Sequence, residues 1–110
     1  GSFTHATAFF SCMYMPNEIK SAIFKETCRV LQPGGEFWIW DAPMSARGRV
    51  FALRLQVILP NQKTITTAYG VRAKDQSAAS LGDLLQQAGF KTEISAQRKH
   101  WFLLKACKTT

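Results

Sequence analysis

Apolar and polar positions along the chain fall into alternating strand-like and helix-like blocks. Phe3 to Ser11 is an apolar run rich in aromatic and β-branched residues, the pattern of a buried strand. Met15-Pro16-Asn17 breaks it, with Pro16 suited to a first helical turn and Asn17 as an alternative N-cap. Asn17 to Leu31 then follows a helical period that gathers Ile19, Ala22, Ile23, Thr27, Val30 and Leu31 near one face, with Lys20, Lys25, Glu26 and Arg29 largely off it. Gln32-Pro33-Gly34-Gly35 ends that helix, because proline cannot continue it and glycine can turn left-handed; one of the two glycines is expected at positive φ. Glu36 to Asp41 (EFWIWD) reads as a short strand covered on both faces, with Trp38 and Trp40 in the core.

Ala42 to Val50 fits either a loop or a short helix. Ala52 to Leu59 alternates, with Leu53, Leu55, Val57 and Leu59 on one face and Arg54 and Gln56 on the other. A turn at Pro60-Asn61-Gln62-Lys63 and a second β-rich run, Thr64 to Tyr69, complete a predicted hairpin. Ser80, with Asp83 three residues on, opens a second helix whose buried face is Leu81, Leu84, Leu85 and Ala88 and whose stop is Gly89-Phe90. Lys91 to Gln97 and Trp101 to Lys108 are the last two strands, joined by the polar turn Arg98-Lys99-His100.

Composition narrows the function classes. Gly1-Ser2 reads as the remainder of a cleaved tag, leaving 3–110 as one domain. An apolar fraction of 46% with 19% charged residues is that of a globular chain. No apolar run approaches the ~20 residues of a membrane-spanning helix, so no membrane is expected. The formal charge of +7 permits an anionic partner, but the basic residues are spread along the chain, with small clusters only at Arg98-Lys99-His100 and at Arg47 and Arg49. Nucleic acid is therefore not the expected partner. Cys12, Cys28 and Cys107 are odd in number and widely spaced, and His5 and His100 are far apart, so no metal site is expected. Three free, mostly buried thiols suit a reducing, cytoplasmic setting. His5, inside an apolar strand, is read as a satisfied core histidine. His100 is read as solvated.

The stretch RVLQPGGEFWIWD, Arg29 to Asp41, resembles the helix-turn-strand signature of class I S-adenosylmethionine (SAM) dependent methyltransferases, in which a helix ending R-V-L-x-P-G-G feeds the fifth strand. The preceding FTHATAFFSCMYMPNEIKSAIFKE resembles the family's fourth strand and following helix. LGDLLQQAGF resembles the helix before the sixth strand, and Trp101 to Lys108 the antiparallel seventh. The resemblance covers Phe3 to Lys108. It implies an α/β fold: a partial Rossmann-like sheet, strands 4-5-7-6 of the family order, with an added β-hairpin and two main helices.

The family's glycine-rich G-x-G-x-G loop and the acidic residue that holds the ribose have no counterpart in this sequence. The family position often filled by Asp near the start is Thr4. By the resemblance, ligand and acceptor meet at the carboxyl ends of the fourth and fifth strands. Ser11 and Tyr14 are the implied cofactor contacts, and Met13, Met15, Asp41 and Met44 the implied substrate contacts, with no residue assigned as the catalytic base. SAM is the implied cofactor, with weak or no binding by this chain alone. The implied function is the C-terminal portion of a SAM-dependent methyltransferase of unknown acceptor; the alternative is a non-catalytic, dimerising binding module on the same fold. In the family order the Phe3 to Ser11 strand has the first strand beside it. In this chain it is an unprotected edge, so the expected partner is a second copy, paired through that strand, or a separate N-terminal half.

Overall fold

The computed structural model describes residues 1–45, 50–72 and 74–109. The basic pair Arg47 and Arg49 lies outside the described residues. The chain forms two compact units, one of Gly1–Pro43 with Gln76–Thr110 and one of Met44–Asp75.

The first unit is a four-stranded sheet with two helices. Strand β1 (Phe3–Phe9) leads through a short 3-10 turn (Cys12–Tyr14) into helix α1 (Asn17–Val30) and strand β2 (Leu31–Asp41). After the second unit come helix α2 (Ala78–Ala88) and, numbered here after the two hairpin strands, β5 (Phe90–Gln97) and β6 (Phe102–Lys108). The sheet order is β1-β2-β6-β5. β1 and β2 run parallel, whereas β6 lies antiparallel to both β2 and β5. This is the 4-5-7-6 arrangement expected from the sequence.

One face of the sheet carries the core. Phe37 and Ile39 of β2, Phe102, Leu104 and Ala106 of β6 and Phe90 of β5 pack with Phe24 of α1 and Ala78, Leu81 and Leu85 of α2. Phe24 meets Phe37 edge-on at 5.8 Å between ring centres. The tryptophans lie on the opposite face, not in this core: strand alternation sends Phe37, Ile39 and Asp41 to the helices and Trp38 and Trp40 away from them, where both are half-buried. There Trp40 stacks on Phe9 at 4.3 Å, and the Lys105 ammonium sits 4.2 Å from the Trp38 ring centre. His5 belongs to the same face. It is exposed, and its ring nitrogens lie 3.1 Å from Thr4 Oγ1 and 3.1 Å from Glu36 Oε2.

Some local expectations are corrected, whereas the left-handed glycine at Gly34 or Gly35 and the Gly89 stop are met. The buried side of α1 is formed by Lys20 and Phe24, whereas Ile19 and Ile23 are exposed. Pro16, not Asn17, is the N-cap of α1, and no side chain caps it. The helix stops at Val30, and the left-handed residue is Gly34 (φ 82°), within β2 and beyond the cap. Phe3 pairs with Leu31 but His5 pairs with Glu36, so Gln32-Pro33-Gly34-Gly35 forms a bulge on β2. Gly35 is needed for space: a β-carbon there would come within 2.8 Å of the Gln32 carbonyl oxygen. Helix α2 is capped by Ser77, whose hydroxyl accepts from the Ser80 N–H while Ser80 Oγ accepts from the Ser77 N–H. Ser80 is thus the third helical residue of a capping box and not its opener. Gly89 ends α2 at φ 109°. The thiols are graded: Cys12 is buried, Cys28 half-buried and Cys107 exposed.

The second unit is a hairpin of β3 (Val50–Ile58) and β4 (Thr64–Arg72). Its turn is five residues long, Leu59 to Lys63, closed by Leu59 N–H on the Lys63 carbonyl at 2.8 Å. Phe51, Leu55, Thr67, Tyr69 and Val71 share a half-buried face.

Candidate functional site at the carboxyl ends of the parallel strands

Because β1 and β2 are parallel, their carboxyl ends open on the same side of the sheet. Phe10 ends β1 with a left-handed backbone (φ 51°), unusual for a bulky residue. Its N–H still donates to the Trp40 carbonyl at 2.8 Å, so the chain leaves the sheet abruptly at Ser11. The 3-10 turn follows, with Tyr14 N–H on the Ser11 carbonyl and Met15 N–H on the Cys12 carbonyl. Pro16 then starts α1.

This turn aims main-chain donors at the last residue of β2. Asp41 is fully buried, and its carboxylate accepts from Cys12 N–H (3.0 Å) and Ala42 N–H (2.9 Å). Met13 N–H adds a further bond. The Gln76 side-chain amide donates to Asp41 at 2.9 Å and to the Ala42 carbonyl at 2.8 Å. Gln76 in turn accepts at 2.8 Å from the ammonium of Lys20, a residue only 1% exposed. One buried chain of hydrogen bonds therefore joins α1, the segment entering α2, the end of β2 and the turn after β1. Its polar groups satisfy one another, which is what makes their burial tolerable.

Burial sets the local electrostatics. It pushes the Asp41 carboxyl above the ordinary range, while the bonds from Ala42, Gln76, Cys12 and Met13 pull it back down. Burial first, and then the Asp41 charge, push the Cys12 thiol up to about 12, against a smaller opposing effect of Lys20. Cys12 is thus a neutral packing group and not a nucleophile.

The fold brings Ser11, Met13, Tyr14, Met15 and Asp41 into this one cluster. Ser11 and Met15 are half-buried, Met13 is buried, and Tyr14 is exposed. Met44 is half-buried and belongs to the second unit. Lys20 and Gln76 were not visible as site residues in the sequence. They meet across 56 positions, a separation that no local pattern in the sequence bridges. Among the described residues, no group of three His, Cys, Asp or Glu side chains is arranged to hold a metal ion. A shallow depression lined by Glu36, Lys91, Glu93, Lys105 and Cys107 touches β2 at mid-strand and shares no residue with the cluster.

Parallel strands β1 and β2 with an antiparallel β6 inserted beside them, and two helices on one face, also occur in solved structures. This is a partial Rossmann-like methyltransferase fold. The glycopeptide N-methyltransferase MtfA complexed with sinefungin superposes with a TM-score of 0.61 at 16% identity, over 96% of this chain and 57% of its own. A SAM-dependent methyltransferase from Mesorhizobium loti gives 0.65 at 14% identity, over 97% and 63%. Human N-acetylserotonin methyltransferase in complex with SAM gives 0.67 at 13% identity, over 100% and 30%. The chain therefore spans at most about three-fifths of the length of these methyltransferases. No family model matches the sequence, and no curated protein matches it.

The strand-end cluster does not by itself fit SAM. No glycine lies in Phe10 to Pro16 or in Asp41 to Ser45, so the main chain offers no close approach to a ligand of that size. Asp41, the acid at the strand ends, already has its oxygens engaged by neighbouring N–H groups and is closed to a ribose.

Proposed function

We propose that this chain forms the C-terminal portion of a SAM-dependent methyltransferase and supplies one wall of its reaction site. The observation that carries the reading is the Asp41 clamp, which fixes the turn after β1 against the end of β2 where open α/β sheets take their ligands. The clamp is a positioning device. It holds the Ser11–Met15 segment rigid and leaves Ser11, Tyr14 and Met15 as the groups that reach a ligand. Ser11 and Tyr14 offer hydroxyls to a cofactor and Met15 an apolar, adaptable lining for an acceptor, while the fully buried Met13 packs behind them. Methyl transfer by direct displacement depends mainly on such positioning. The acceptor is not identified by this wall.

On this reading the chain alone binds SAM weakly or not at all and turns nothing over. Calorimetric titration is expected to show no micromolar affinity; a micromolar constant would overturn it. Amide chemical shifts in millimolar SAM locate the weak contacts. The expected perturbations are confined to Ser11–Met15 and Asp41–Pro43. Shifts centred on the depression near Glu36 and Cys107 instead would move the ligand site away from the strand ends.

A further inference from the structure

Over the whole chain the basic residues are spread, but the two units share them unevenly. Six of the 14 lie in Met44–Asp75, against one of the seven acidic residues, so this segment carries a net +5 of the chain's +7. Its one acid, Asp75, is its last residue, and no carboxylate occurs from Ala42 to Lys74. In the first unit the eight remaining cations stand against six carboxylates, and Arg29 pairs with Glu26. In the hairpin Arg54, Lys63 and Arg72 are exposed, and among the described residues they make no ion pair.

The hairpin gives part of this charge a regular surface. Arg54 lies opposite Ala68, Gln56 opposite Thr66 and Arg72 opposite Val50, so the even-numbered residues of β3 and β4 share one face. Every one of them is exposed. The middle of the face is low, because Ala52, Ala68 and Gly70 leave the main chain near the surface, and Arg54, Gln56 and Thr66 stand out from it. The apolar members Val50 and Ile58 stand at its two ends. The other exposed apolar residues of the hairpin, Val57 and Ile65, belong to the opposite face, as do the half-buried Phe51 and Tyr69.

We propose that this exposed face of the β3–β4 ribbon docks in the major groove of duplex DNA. The fit is first one of size. Two strands about 4.8 Å apart and about 30 Å long make a ribbon that a groove about 12 Å wide admits. It is next one of chemistry. Arg54 and Gln56, two residues apart on one strand, are the side-chain types whose paired hydrogen bonds read the edges of guanine and adenine, and the methyl of Thr66 suits that of thymine. Lys63 in the turn and Arg72 near the root, toward the two ends of the ribbon, meet phosphates, which a duplex presents about every 1.7 Å of its axis.

Other polyanions match less of the surface. The face carries no aromatic ring on which the bases of a single strand could stack. The major groove of an RNA duplex is too narrow for side chains to read. The turn end, Asn61-Gln62-Lys63, is polar and exposed and offers a membrane no aromatic anchor.

The experiment is fluorescence anisotropy of a labelled DNA duplex of about 20 base pairs, titrated with the full chain over a range of salt, with far-UV spectra and melting curves to show that each variant is folded. Wild type is expected to bind with a dissociation constant of about 10⁻⁶–10⁻⁴ M that weakens steeply with salt. Arg54→Gln is expected to weaken binding about tenfold. Lys63→Gln combined with Arg72→Gln is expected to reduce the salt slope by about 2. Lys25→Gln combined with Lys99→Gln removes the same charge from exposed positions of the first unit and is expected to leave the slope unchanged. At saturating protein, guanine N7 is expected to be protected from methylation by dimethyl sulfate. No binding at low salt overturns the proposal. Equal losses from the two double variants also overturn it, because binding would then follow net charge alone. Bound DNA with unprotected N7 takes the ribbon out of the major groove. Equal or tighter binding of an RNA duplex, a single strand, polyglutamate or phosphatidylserine vesicles assigns the face to that partner instead. None of these outcomes depends on SAM, so the methyltransferase reading stands or falls separately.

Discussion

The two units of the chain use equally regular strands to opposite effect. In the sheet of the first unit, every second residue of β2 from Gly35 to Asp41 and of β6 from Phe102 to Ala106 is buried, and Phe37, Ile39, Phe102, Leu104 and Ala106 meet the helices. In the β3–β4 hairpin the register is just as complete, from Val50 opposite Arg72 to Ile58 opposite Thr64, yet Val50, Val57, Ile58 and Ile65 are exposed. A strand's pairing is settled by its own backbone and turn, whereas its burial is settled by a second layer. The helix layer of the first unit supplies it for β2 and β6. Stability is therefore concentrated in the first unit, and substitutions in the two units should differ by an order of magnitude.

The largest effect tests that contrast directly. Phe24 is fully buried between α1 and the sheet, so Phe24→Ala should cost about 3–5 kcal/mol in chemical denaturation. A cost near zero would dissolve the distinction between the units. Next is the Asp41 clamp. Asp41→Ala strands the buried N–H groups of Cys12, Ala42 and Gln76 and should cost about 3 kcal/mol near pH 4. The sign of its pH dependence follows from the raised carboxyl. Asp41's contribution is whole below its ordinary value of 3.8 and is lost as pH rises through the raised one, so the gap between wild type and Asp41→Ala should narrow toward neutrality. A gap that widens instead would mean that the four N–H donors outweigh burial.

A smaller effect isolates backbone strain. Nothing lies within 4 Å of where a Gly34 β-carbon would stand, so Gly34→Val is felt through its positive φ alone, about 1–3 kcal/mol. The smallest effect is expected in the hairpin. Ile58 is 75% exposed, and Ile58→Thr should change stability by no more than about 0.5 kcal/mol. A larger loss would show that the hairpin is covered in solution.

Much of the architecture was legible because it rests on local physics. The strand at β1 (though not its expected burial, since Phe3 and Phe9 are exposed), the helix at α1, the Gly89 stop and the hairpin alternation are each written within a dozen residues, whereas the sheet order followed from the family resemblance. What failed to show was non-local. The face of α1 was misread because its buried side includes Lys20, whose polar end is satisfied only by Gln76, 56 residues away. The tryptophans of β2 were placed in the core by their size, whereas strand parity sends them to the opposite face. At the candidate site the location was legible from the strand ends. The engagement of Asp41 was not, because it depends on the left-handed Phe10 turning the chain so that two successive main-chain N–H groups point back at the sheet.

That turn is, in effect, an anion receptor that the protein fills with its own carboxylate. The N–H groups of Cys12, Met13 and Ala42 and the Gln76 amide converge on a space the size of a formate ion. Shortening Asp41 to glycine or alanine empties the receptor without dismantling it. Formate or acetate in the buffer should then restore part of the lost stability, saturably and with no effect on wild type, while chloride at the same ionic strength should not. The side chain that holds the strand ends together would thereby be replaced by a diffusible ligand, and the clamp would acquire a measurable dissociation constant.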